Sequence, residues 1–223
     1  MEQNVRELIL EKKLIAIARG VQKEELLRLA EALYEGGIRL MELPFDQSGR
    51  CTDEETAEKI HLLSEKMEGR MVIGSGTVLT QKQVQLSRDA GAKYIISPDT
   101  NPEIIRETKR LQLLSMPGAL TPSEVQCAYA AGADFVKIFP AGCMGVEYIR
   151  AISAPLCQIP LFAVGGVDEK NLTAFLDAGV CGFGIGSNLI RKDWIAAGRF
   201  QELTAYAKEY TNQIEEWNYV HRH

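Results

Sequence analysis

Short apolar runs alternate along this chain with longer stretches whose apolar positions recur at helical spacing, the rhythm of strands feeding helices in a parallel sheet. The strand candidates are Leu14–Arg19, Leu40–Phe45, Met71–Val78, Tyr94–Pro98, Leu113–Gly118, Phe135–Pro140, Leu161–Gly166 and Gly182–Ser187. They start roughly 20–30 residues apart, the length of one βα unit. Punctuation marks the same units. Helices are expected to close on glycine at Gly36-Gly37, Gly91, Gly132 and Gly179, where a left-handed residue ends the turn. Starts are marked by Thr52-x-x-Glu55, Thr80-x-x-Gln83 and Thr121-Pro-Ser-Glu124, each with the spacing of a capping box, and Asp168 is the expected cap after the seventh strand. Eight units in 223 residues point to a single α/β domain over residues 1–223, a closed (β/α)8 TIM barrel, with a tail from about Ile214 expected to fray.

Composition narrows the class. Charged residues are 25% and the net charge is −5, which gives no basic footprint for nucleic acid or an anionic membrane. No apolar run approaches the ~20 residues of a membrane span, and the charged start of the chain is unlike a signal peptide. Five cysteines, Cys51, Cys127, Cys143, Cys157 and Cys181, lack C-x-x-C spacing and read as reduced thiols of a cytoplasmic protein. Histidine is limited to His61, His221 and His223, so a histidine triad or a His-rich metal site lacks its parts. No metal and no cofactor are expected.

Two polar residues sit inside strand candidates. In Phe135-Val-Lys137-Ile-Phe139, period-two alternation puts Lys137 on a face opposite Val136 and Ile138, hence into the barrel. A strand lysine commonly snorkels to solvent. Lys137 instead lies near the C-terminal end of its strand, where barrel enzymes hold their sites, and burial favours the neutral amine that a nucleophile needs. Glu42 shares a strand face with Leu40 and Pro44, opposite Met41, Leu43 and Phe45, and is expected inward as well. It reads as a proton shuttle or as an ion-pair partner for Arg19 or Lys137.

Arg19 closes the face of Ile15 and Ile17 at the C-terminal rim; it suits a substrate carboxylate or phosphate, and equally a rim salt bridge. Thr77 ends Gly74-Ser-Gly-Thr, whose glycines could admit a ligand close to the backbone. Gly165-Gly166 and Gly186-Ser187 follow the last two strands, where many barrels bind phosphate.

These motifs resemble the class I aldolases that act on 2-keto-3-deoxy-6-phosphogluconate and 4-hydroxy-2-oxoglutarate. The resemblance covers nearly the whole chain, from Ile15-Ala-Ile-Ala-Arg-Gly20 to Gly184-Ile-Gly-Ser187, and is sharpest at Gly76-Thr-Val-Leu79, Ile96-Ser-Pro98, Pro117-Gly118 and Val136-Lys-Ile-Phe-Pro-Ala141. It implies a lyase in which Lys137 forms the Schiff base and Glu42 is the general acid/base. Arg19, Thr77, Pro98 and Phe139 would border the substrate, a small and phosphorylated keto acid. It also implies a homotrimer. The chain departs from the family pattern at Pro44 and Asp46, where many members carry threonine and arginine, and at Val164, where they carry threonine. A phosphate-binding barrel isomerase or epimerase, or a catalytically silent sugar-phosphate-binding barrel, would share the glycine loops.

Overall fold

The computed structural model describes residues 4–221, so His223 lies outside the described residues. Nine strands make one sheet: β1 (Leu14–Ile17), β2 (Leu40–Pro44), β3 (Val72–Gly76), β4 (Tyr94–Ile96), β5 (Leu114–Met116), β6 (Gly118–Ala119), β7 (Val136–Ile138), β8 (Leu161–Val164) and β9 (Gly182–Ile185). Their order is β5-β4-β3-β2-β1-β9-β8-β7-β6, and every pairing is parallel. The nine segments are the eight expected strands, because Pro117 divides the fifth into β5 and β6. Proline has no N–H to give the ladder, although its carbonyl still accepts from the Lys137 N–H at 2.9 Å. The chain itself joins β5 to β6 and closes the ring into an α/β barrel.

Helices follow the strands: α1 (Val5–Lys12), α2 (Lys23–Glu35), α3 (Asp53–Lys66), α4 (Gln81–Asp89), α5 (Pro102–Arg110), α6 (Pro122–Ala130), α7 (Ala141–Met144), α8 (Val146–Ser153), α9 (Leu172–Asp177), α10 (Lys192–Ala196) and α11 (Phe200–Val220). The three capping boxes form at Thr52, Thr80 and Thr121. Gly37, Gly91, Gly132 and Gly179 take positive φ where helices end. Asp168 differs from expectation: α9 starts after Asn171, and Asp168 organises the turn ahead of it by accepting the Lys170 N–H at 3.0 Å. The tail differs too. α11 continues through Val220, Ile214 is buried, and Asn218 donates to the Glu11 carbonyl at 3.1 Å, so contacts to the barrel's base hold the helix.

Two apolar layers result. Between strands and helices lie Met41, Leu43, Phe45, Val136 and Ile138, the outward sets of the alternation. Inside the barrel lie Ile15, Leu40, Tyr94, Met116, Phe135 and Phe162, closed from below by Leu8 and Ile9 of α1. That plug was not foreseen, although the apolar residues at 5, 8 and 9 after Asn4 carry its helical spacing. The packed lower barrel leaves only the upper, C-terminal end for polar groups.

Candidate active site

Lys137 and Glu42 are the ionisable side chains buried in that upper barrel, 8% and 2% exposed respectively. Their seats depend on glycine. Glu42 stands opposite Gly74 on β3 and Pro44 opposite Gly76. A Cβ on Gly76 would overlap the Glu42 carboxylate, and a Cβ on Gly74 would overlap the Tyr94 ring. The Tyr94 hydroxyl in turn donates to the Met41 carbonyl at 2.7 Å. The glycines of Gly74-Ser-Gly-Thr thus make room for two interior side chains rather than for a ligand against the backbone.

Burial is the main force on both ionisable groups. It raises the Glu42 pKa above the usual carboxylate range, against the opposing attraction of Lys137 and Arg19. It lowers the Lys137 pKa below that of an ordinary lysine; Glu42 opposes this, Arg19 adds to it, and Asp99 opposes it weakly. Each group is pushed toward its neutral form, which equips the lysine as a nucleophile and the carboxyl as a proton carrier. Glu42 Oε2 has no hydrogen-bond partner among the described residues, an acceptor left open toward the barrel interior.

Around this pair the rim residues assemble. Arg19 forms no rim ion pair among the described residues; its Nη2 donates to the Thr77 hydroxyl at 3.0 Å, leaving its charge open to an anion. Thr77 adopts φ 54°, a left-handed backbone that a non-glycine residue seldom takes and that aims its hydroxyl at Arg19. The Lys137 ammonium nitrogen lies 4.9 Å from the centroid of the Phe139 ring, which is 43% exposed at the mouth. Pro98 packs its carbonyl against Gly118, the partner of Lys137 in the β6–β7 ladder.

The two glycine loops lie side by side, joined by Asn188, whose Nδ2 donates to the Val167 carbonyl at 2.8 Å. Gly165 and Gly166 take φ 85° and 79°, and a side chain on Gly166 would strike the Gly142 Cα. These glycines are therefore required first by backbone packing. The N–H groups of Gly166 and Ser187 nevertheless have no hydrogen-bond partner among the described residues, which suits them to a phosphate or carboxylate, whereas that of Gly165 continues the β8–β9 ladder toward Gly184.

Sequence reasoning missed the supports of these loops. Buried Tyr210 donates to Glu169 at 3.1 Å and to the Asn188 carbonyl at 3.3 Å, tying α11 to both. Asp46, where many members of the resembling family carry arginine, is bound up in its own loop. Asp46 Oδ2 accepts the N–H groups of Arg50 at 2.8 Å and Cys51 at 3.1 Å, and Oδ1 accepts that of Ser48 at 3.1 Å. The Ser48 hydroxyl, with those N–H groups behind it, holds its pKa at about 2. It is a loop brace. An aspartate followed by Ser48 and Gly49 carries the signal of such a turn.

Comparison with known proteins gives the family of the chain. The family model described as KDPG and KHG aldolase matches residues 5–206. A Rhizobium meliloti protein named "Probable 2-dehydro-3-deoxy-6-phosphogalactonate aldolase" is 37% identical over 210 residues, covering 92% of this chain and 96% of the relative. The 2-dehydro-3-deoxy-6-phosphogalactonate aldolase of Escherichia coli is 33% identical over 203 residues, covering 91% of this chain and 96% of its own. Among solved structures, the KDPG aldolase of Legionella pneumophila, with pyruvate captured as a covalent carbinolamine, superposes with a TM-score of 0.82 at 26% identity. That match covers 93% of this chain and 98% of the other.

Proposed function

We propose, from the premise that this chain belongs to the KDPG and KHG aldolase family of class I, pyruvate-dependent carbon–carbon lyases, that it cleaves a phosphorylated 2-keto-3-deoxy six-carbon sugar acid to pyruvate and glyceraldehyde 3-phosphate. The observation that carries this reading is the buried Lys137 beside buried Glu42 at the C-terminal end of a parallel barrel.

In this mechanism the neutral Lys137 amine attacks the C2 ketone, and Glu42 supplies the proton that makes the departing oxygen water as carbinolamine becomes imine. The protonated imine then accepts the electron pair of the C3–C4 bond. Glu42, now a carboxylate, takes the C4-hydroxyl proton, and glyceraldehyde 3-phosphate leaves. The remaining enamine is protonated at C3, and water hydrolyses the imine to release pyruvate and Lys137. Thr77 and Arg19 bind the pyruvyl end, with Pro98 and Phe139 as walls. The free N–H groups at Gly166 and Ser187, with Gly165 and Gly186 shaping the turns, hold the distal phosphate. The covalent imine is itself the electron sink.

The galactonate epimer, 2-keto-3-deoxy-6-phosphogalactonate, is the preferred substrate in this reading, supported by the names of the two more similar relatives and by Val164, which removes a hydroxyl from the distal side. 4-Hydroxy-2-oxoglutarate is the poorer substrate, for lack of a phosphate. Comparison of kcat/KM for the galactonate, the gluconate and the dicarboxylate tests the assignment; a preference for the dicarboxylate overturns it. A homotrimer and a cytoplasmic location complete the proposal, the latter supported by five free cysteines. Among the described residues no helix is long and apolar enough to cross a membrane.

A further inference from the structure

Beside the catalytic pocket, a groove of about 590 Å³ opens between the loops that follow β1 and β2. Arg19 belongs to both, so the groove adjoins the reacting centre; Pro44, which lines the groove, is two residues beyond Glu42 on the same strand. Acidic residues line it, but most are engaged elsewhere. Asp46 is saturated by the loop's own donors, Glu55 accepts from Thr52 in its capping box, and Glu58 pairs with Lys23 at 2.9 Å. The side chains of the lining cations Arg50 and Lys192 have no hydrogen-bond or ion-pair partner among the described residues. Lys192 reaches from α10 to the loop after β1, its ammonium 3.0 Å from where a Gly20 Cβ would stand. Two unpaired cations thus converge on one groove at the mouth, where low-dielectric walls focus their field.

The position of Arg50 has a cause. Asp46 accepts its backbone N–H and those of its neighbours, folding residues 46–51 back so that Arg50 lines the groove. The family pattern described above places an arginine at position 46. Here the charge returns four residues later, held by the aspartate that replaced it.

We propose that Arg50, assisted by Lys192, is a specificity-determining anion subsite, gripping the phosphorylated end of the substrate opposite the N–H groups of the glycine loops. This deepens the aldolase reading and rests on it. The guanidinium fork matches phosphate oxygens in two-point contact, and the ammonium adds a point charge.

The test uses Arg50→Met and Arg50→Lys in the full-length protein, with 2-keto-3-deoxy-6-phosphogluconate, its unphosphorylated counterpart and inorganic sulfate as probes. Arg50→Met is expected to lower the kcat/KM ratio of phosphorylated to unphosphorylated substrate by roughly 10- to 100-fold, chiefly through KM, the scale of a lost charged hydrogen bond. Sulfate should inhibit this variant more weakly, and Arg50→Lys should restore part of both effects. A ratio and a sulfate inhibition constant equal to those of the parent would overturn the proposal. If the parent itself is not trapped by pyruvate and borohydride, the aldolase reading fails instead, so the two failures are separable.

Discussion

The carboxylate of Glu42 fills the space that a Cβ on Gly76 would occupy, so the acid of β2 is seated by a missing side chain on β3. Gly76→Ala should push the carboxyl from its place beside Lys137 while leaving the rest of the barrel intact. An ångström of misplacement costs on the order of 100-fold in rate, so kcat should fall by about that factor with an unchanged circular dichroism spectrum. A kcat equal to the parent's would mean that the position of Glu42 is immaterial to turnover.

Glu42→Gln tests the chemistry of that carboxyl apart from its shape. Loss of proton transfer should lower kcat by roughly 10²–10⁴, the range of general acid–base assistance, with little change in melting temperature. Near-parental turnover would reduce Glu42 to a packing partner of Tyr94.

Much of this arrangement is legible in the sequence because period two is strict in a strand. One alternation sends Val136 and Ile138 under the helices and Lys137 inside; another does the same for Met41, Leu43 and Glu42. Capping boxes are local and equally legible. What alternation leaves out is the third dimension. Gly74 and Gly76 are explained by Tyr94 and Glu42, which come from other strands. Asp46 looks like a charge at the mouth until the loop's donors are seen around it. Tyr210 is brought to Asn188 by the docking of α11, which no local pattern encodes.

The pH dependence follows from the direction of the shifts. Burial lowers the Lys137 pKa, so the neutral amine gains population at a lower pH than in a free lysine, and imine formation rises with pH through that lowered value. The rate of pyruvate trapping should therefore reach half its plateau below the ordinary lysine value of about 10.4. Burial raises the Glu42 pKa, so turnover should fall on its acid side at a pH above the ordinary carboxylate value of about 4.3, and Glu42→Gln should abolish that limb. The macroscopic values belong to the coupled pair. An acid limb that survives in Glu42→Gln would assign the proton transfers to another group.

The phosphate seat is best probed at Ser187. Gly166→Val is unsuitable, because φ 79° and the nearby Gly142 make any side chain there a structural lesion. Ser187 offers its hydroxyl as well as its N–H in this reading. Ser187→Ala, which removes the hydroxyl and keeps the N–H, should raise KM for the phosphorylated substrate roughly ten-fold, the scale of one hydrogen bond to a charged group, and leave the unphosphorylated compound nearly unaffected. An equal effect on both substrates would move the seat elsewhere.

The central claim is that Lys137 is the covalent nucleophile, and mass spectrometry after incubation with pyruvate and borohydride tests it most directly. The account predicts one reduced pyruvyl unit per chain, located by peptide mapping on Lys137 and absent from Lys137→Met. Labelling of a different lysine, or no labelling of the folded protein, would contradict it.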